Sequence, residues 1–178
     1  GRYVFALGRF VEEKGFHDLF DAFDALQTGW KLALAGNADH PSSYARKLVK
    51  RAEDSERVVL TGFVKGDALS QLYAHSGLFA LPSYHEGLPL VLLEALGYRC
   101  NVLVSDIPAH RAVSLRRERY FPPGDTDALR KALQRWMAEG VSEAERQENL
   151  RMLREDYSWE GIARRTLAVY REVVRSER

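Results

Sequence analysis

Cysteine is almost missing from this chain. Cys100 stands alone in 178 residues, so no disulfide can close within the sequence, and such scarcity fits a reducing compartment. Its neighbours Arg99, Asn101 and Val102 mark it as a small residue entering a strand rather than a nucleophile. Long apolar runs are missing too. Nothing approaches the roughly 20 residues that cross a bilayer, and no signal peptide opens the chain. Neither sign of charge prevails: 26 Lys and Arg against 25 Asp and Glu leave a net +1. No global charge therefore argues for nucleic acid, and basic residues have to be judged locally. Internal repeats and low-complexity tracts are absent. What remains is an ordinary globular composition, 46% hydrophobic and 29% charged, in a length that suits one larger domain. The chain begins almost directly in a strand, as a piece of a longer protein would.

Short apolar runs alternate with helical periodicity through the first two thirds. Tyr3–Leu7, Trp30–Ala35, Val58–Thr61, Gly77–Leu81 and Val102–Val104 read as buried strands, closed respectively by Gly8, Gly36, Gly62, Pro82 and Ser105. Helical spacing recurs at Phe16, Leu19, Phe20, Phe23 and Leu26. A second helix is opened by Pro41-Ser42-Ser43, and a third is capped by Asp67 and carries Leu69, Leu72 and Tyr73. Strands alternating with helices of this length predict an α/β fold, a doubly wound, Rossmann-like parallel sheet covered on both faces. The remainder reads as helical. One helix follows Asp125, a second starts at Ser142 with Glu145 completing a capping box, and a terminal one starts near Trp159. Ligands of such sheets bind beyond the carboxyl ends of the strands, where Gly8, Gly36, Gly62 and the loop 83–87 all fall.

The most informative stretch is Pro82-Ser83-Tyr84-His85-Glu86-Gly87-Leu88-Pro89, followed by the run Leu90 to Leu96 and Gly97. Pro at a helix start and Gly after its end delimit a helix, and apolar residues at nearly every position predict that it is buried. Glu94 then reads as a lone buried carboxylate needing a partner. It lies roughly 7 to 8 Å along the helix at about 1.5 Å per residue. Unpaired amides at Gly87, Leu88 and Leu90 form an anion-attracting helix end between the two acids. Arg9 and Lys14 follow the first strand in a loop bounded by Gly8 and Gly15. A forked guanidinium and a mobile ammonium together suit a diphosphate, with Glu13 a local charge partner.

The Glu86 and Glu94 spacing within EGLPLVLLEAL, together with Gly8-Arg9 and Glu13-Lys14-Gly15, resembles the group 1 retaining glycosyltransferases of GT-B architecture. The likeness spans Tyr3 to about Leu133, nearly all of that architecture's nucleotide-sugar-binding half. The resemblance implies that Arg9 and Lys14 hold the diphosphate and that Glu94 takes the ribose hydroxyls. Glu86, as the catalytic residue, and the amides of Gly87 and Leu88 hold the transferred hexose and its nearest phosphate. Gly36 and the backbone of Val64 edge the nucleobase slot. It implies no metal and no cofactor beyond the nucleoside diphosphate sugar. It also implies a missing N-terminal acceptor domain that the segment 157–178 faces, and a cytoplasmic protein that could sit peripherally on the inner face of a membrane. Ser105-Asp106-Ile107-Pro108-Ala109-His110-Arg111 matches the family, while Ala112 stands where relatives often carry Glu. Ser114 to Arg119 is basic and short where they often carry a Gly-rich turn. His85 and His110 read as polar loop residues. Two alternatives stay open: a nucleotide-sugar epimerase half of the same architecture, and a non-catalytic doubly wound binding module. The first would want further acid and base residues in the sugar pocket. The second is separated from the transferase by a nucleotide titration.

Overall fold

The computed structural model describes residues 1–38, 40 and 42–176, so the helix-opening Pro41 lies outside them. Six strands form one sheet: β1 (Tyr3–Leu7), β2 (Lys31–Ala35), β3 (Val58–Gly62), β4 (Leu78–Leu81), β5 (Val102–Ser105) and β6 (Tyr120–Phe121). All neighbours pair in parallel, in the order β3-β2-β1-β4-β5-β6. The winding runs outward from β1 to β3, returns to β4 beside β1, and runs outward again. That reversal makes β1–β4 the switch point, the place at the strands' carboxyl ends where ligands of such sheets bind.

Strand residues alternate between two cores. Val4 and Ala6 of β1 join one cluster with α1 (Phe16–Asp24), α2 (Ser43–Glu53) and α6 (Thr126–Glu139). Phe5 points the other way, with α3 (Gly66–His75), α4 (Leu90–Gly97) and α7 (Glu143–Asp156). The doubly wound sheet with helices on both faces is therefore present, and α8 (Trp159–Ser176) forms the helical tail.

The structure departs locally from these expectations. β6 is a sixth strand, only two residues long, in the part expected to be wholly helical. A four-residue helix, α5 (Pro108–Arg111), precedes it. Lys65, not Asp67, is the N-cap of α3. Ser142 does cap α7 through the Glu145 amide at 3.2 Å, but the Glu145 side chain does not reach back. It is buried and bonded to Arg119, so half of the expected capping box has been given up to an ion pair. In the basic stretch 114–119, Ser114 takes a φ of 56°, a left-handed turn made without the glycine that best tolerates it.

The loops after β1 and β4 are fastened together. Gly15 has φ 65°, and a Cβ there would stand 2.2 Å from the Pro82 carbonyl oxygen. The Tyr84 amide donates to the Glu13 carbonyl at 2.8 Å. Only glycine allows this approach, and the approach brings the two halves of the site within reach of each other.

Candidate active site

Lys14, on a 3₁₀ turn over Glu12–Lys14, meets Glu86 across the switch point. Its Nζ lies 2.8 Å from both Glu86 carboxylate oxygens, and the side chains are 14% and 9% exposed. Ser83 Oγ donates to Glu86 Oε1 at 2.7 Å. The Ser105 hydroxyl in turn donates to the Ser83 carbonyl, lacing the end of β5 to the end of β4. Two of the three Lys14 N–H groups are thus directed at Glu86, leaving one for another oxygen.

Beyond Glu86 the chain turns into α4 with Pro89 as its N-cap rather than its first helical residue. The Leu90 amide is not free: it donates to the Leu88 carbonyl at 2.9 Å. Among the described residues the amides of Gly87, Leu88 and Val91 have no partner. The donor-rich helix entrance is therefore made by 87, 88 and 91, with 90 removed from the expected set.

Glu94 corrects the sequence reading more sharply. It is exposed, and so is the stripe it belongs to, Leu90, Glu94 and Gly97, at i, i+4 and i+7. α4 is half-covered, not buried all round; its exposed stripe carries Leu and Gly, so hydropathy could not reveal it. Tyr73, in the core behind, donates its hydroxyl to Glu94 Oε2 at 3.0 Å and to the Val91 carbonyl at 3.3 Å. Its ring is clamped between Phe5 and Tyr98, at centroid distances of 5.2 Å to each. Burial, then the Glu94 charge, pushes the Tyr73 phenol well up, so it stays a donor and holds one carboxylate oxygen while the other faces solvent. The sequence marks Tyr73 only as a core residue of α3.

The remaining expected contacts are spread around this centre. Arg9 lies exposed in the loop after β1 and pairs with Glu13 at 3.1 Å. Gly36 lies after β2, and a Cβ there would come within 1.9 Å of the Gly8 carbonyl oxygen. Its lack of a side chain is thus required by the neighbouring backbone, whatever a ligand demands. Val64 follows β3, half-buried against the α3–α4 core, and its backbone amide and carbonyl take no partner among the described residues. Cys100 is buried, and burial pushes its thiol up to about 11, which suits the inert role read for it.

His110 is not a loop residue. It is fully buried in α5, with Nδ1 2.8 Å from the Ser105 carbonyl oxygen and Nε2 without a partner among the described residues. Burial holds its pKa below the ordinary 6.5. The unfolded chain takes up this proton at a higher pH than the folded protein does, so stability falls as pH drops through that window. Urea unfolding between about pH 7 and pH 5 is expected to show a loss to which this residue adds up to about 1.4 kcal/mol per pH unit. The His110→Asn variant should show a shallower slope. An equal slope in both proteins would assign the loss to other groups.

The switch point thus holds a cation–carboxylate pair, a donor-rich helix entrance and an exposed acid eight residues on, at the strand ends where sheets of this kind bind ligands. The family model described as "Glycosyl transferases group 1" matches residues 1–152, and the chain belongs to that family. It is 30% identical over 119 residues to the amylovoran biosynthesis glycosyltransferase AmsD of Erwinia amylovora, covering 66% of this chain and 33% of the relative. It is 25% identical over 174 residues to the O-antigen chain mannosyltransferase B of Escherichia coli, covering 95% of this chain and 45% of that protein. Sucrose-phosphate synthase from Thermosynechococcus elongatus superposes with a TM-score of 0.81 at 25% identity, over 98% of this chain and 46% of that one. The chain thus spans between a third and just under a half of these proteins. No helix among the described residues is long and apolar enough to cross a membrane.

Proposed function

We propose that this chain is the donor-binding half of a retaining hexosyltransferase. A nucleoside diphosphate sugar lies across the β1–β4 crevice, and an N-terminal half holds the acceptor. The observation that carries this reading is the pairing of the Lys14–Glu86 bridge with free amides at Gly87, Leu88 and Val91, next to an exposed, Tyr73-held Glu94. A cation and amides suit phosphate, and a carboxylate suits vicinal hydroxyls.

In this reading Arg9, the third Lys14 proton and the helix amides meet the diphosphate. As the bond to the sugar breaks, charge builds on the departing phosphate oxygen, and these donors then bind more strongly than they bind the intact donor. That difference lowers the barrier. Glu86, held by Lys14 and Ser83, orients the sugar and faces the positive charge growing at its anomeric carbon. Gly36 and the Val64 backbone border the base. α8 supports a missing partner domain: Trp159 is 85% exposed, and Leu167, Val169, Tyr170 and Val173 are also exposed along it. Apolar area of that kind is costly to leave in water.

Titration calorimetry of the isolated chain tests the reading. Nucleoside diphosphates should bind and free phosphate should bind far more weakly, while no sugar transfer is detected. Glu94→Gln keeps the shape and removes the charge, so ligands containing ribose should weaken by about tenfold. Glu86→Gln should leave the bare nucleoside diphosphate nearly unchanged. Equal losses in the two variants would contradict the division of labour, and robust transfer by the isolated chain would contradict the half-site.

A further inference from the structure

A cavity of about 670 Å³ opens on the α1–α2 side of the loop after β1, within the usual size for small-molecule sites. None of the residues assigned above to the donor lines it. Three aromatic rings, from α1, α2 and the loop after β4, meet there. His17 of α1 stacks on Tyr84 at 5.9 Å with an interplanar angle of 21°, and meets Tyr44 of α2 edge-on at 5.6 Å. Their polar atoms are already engaged. Tyr84 donates its hydroxyl to Asp18, and His17 Nδ1 is 3.1 Å from the Tyr44 hydroxyl. What the cluster offers the cavity is therefore ring surface. At the rim, the side chains of Glu12 and Lys47 have no partner among the described residues, giving one strong acceptor group and one strong donor. Arg51, by contrast, is committed to Asp21 and Asp24 at 2.6 and 2.8 Å.

The charge pattern narrows the ligand. Glu12 and Glu13 line the cavity and Asp18 lies beneath Tyr84, so a phosphate or carboxylate would meet repulsion with only Lys47 uncommitted to oppose it. A wholly apolar ligand would leave Glu12 and Lys47 to be desolvated without return. Pyranose rings match both features: their C–H faces lie on aromatic surface, and their hydroxyls both donate to carboxylates and accept from ammonium groups.

We infer that this cavity is a second carbohydrate site, holding a pyranose of an uncharged glycan while the transferred hexose occupies the Glu86 side. The two sites are back to back. Tyr84 lies two residues before Glu86, and its amide is tied to Glu13, so one short loop has a face in each. The inference rests on the transferase reading for the source of the glycan, the acceptor chain, but not for the site itself.

Amide and saturation-transfer NMR of the 178-residue chain, without nucleotide, tests it with three probes: α-linked glucose, α-linked mannose and β-linked N-acetylglucosamine trisaccharides. At least one should give saturable shifts at Glu13, His17, Tyr44 and Tyr84. The surface double variant Glu12→Ala/Lys47→Ala should weaken that binding about tenfold, as the loss of two hydrogen bonds entails. It should change nucleoside diphosphate affinity by less than about twofold. No saturable shift with any of the three overturns the inference. So do shifts confined to the surroundings of Glu94 and Val64, or the same shifts from inorganic phosphate. A chain that binds saccharide here but no nucleotide would sink the donor reading and leave this site standing.

Discussion

Lys14→Met is expected to weaken nucleoside diphosphate binding by about 3 kcal/mol, roughly 150-fold, the range for removing a charge-assisted hydrogen bond from a sheltered crevice. Methionine keeps the length and apolar stem of lysine, so the loop geometry is little disturbed. The variant also leaves Glu86, at 9% exposure, facing Ser83 without its cation. Losing one member of a sheltered pair costs more than the pair contributes when intact. The double variant Lys14→Met/Glu86→Gln should therefore recover part of the folding stability lost in the single one, while nucleotide affinity stays low. Calorimetry and urea unfolding on the parent, the two single variants and the double variant separate these outcomes. Recovery of both quantities together would mean that Lys14 serves Glu86 and not a phosphate.

The site gains its asymmetry from how α4 is set. Ala95, Leu96 and Leu92 anchor it on the β4–β5 core, and the Leu90–Glu94–Gly97 stripe faces outward. Leu88 and Leu90, 58% and 60% exposed, form an apolar lip beside the free amides. Hydrogen bonds to those amides strengthen where such a lip keeps water away.

Much of this architecture is legible as a string of residues. A buried parallel strand is a short apolar run, and glycine, proline or serine at its end is a local signal. Tyr3–Leu7 is therefore legible to the residue, and the acid pair can be seen because loop and helix are contiguous. What escapes depends on distant partners. Lys14 and Glu86 are 72 positions apart, and nothing local to either one foretells their meeting. Tyr73 reads as a core aromatic because its hydroxyl's task lies on another helix. β6 is two residues long, too short for any period to show. Glu94 reads wrongly as buried because its exposed stripe is otherwise made of leucine and glycine. Glu145 reads wrongly as a cap because three residues after a serine is where a capping box puts its acid.

That glutamate carries the largest expected loss of stability. Arg119 is 1% exposed, and its guanidinium has two nitrogens on Glu145, Nε at 2.6 Å and an Nη at 2.8 Å. The other Nη donates to Asn101 Oδ1 at 2.5 Å, and the group lies 3.5 Å from the centre of the Trp136 ring. The cluster joins the turn before β6, the entry to β5, α6 and α7, and α7 in turn packs against α4. Glu145→Ala strands a buried guanidinium with two neutral acceptors, Asn101 Oδ1 and the Val102 carbonyl, and an aromatic face, and is expected to cost about 3–5 kcal/mol. Glu145→Gln keeps the volume and one hydrogen bond, so it should cost less, though it still leaves the charge unmatched. The Arg119→Met/Glu145→Leu pair removes both charges and should recover much of the loss, since a buried ion pair gains little over well-packed apolar groups. Urea unfolding of the parent and these three variants reads this directly. The cluster lies behind α4 rather than in the crevice, so wherever the variants remain folded, nucleotide affinity should follow the folded fraction alone. An intrinsic loss of affinity in the fully folded Glu145→Gln protein would show that α7 helps to set Glu94, through the backing it gives α4.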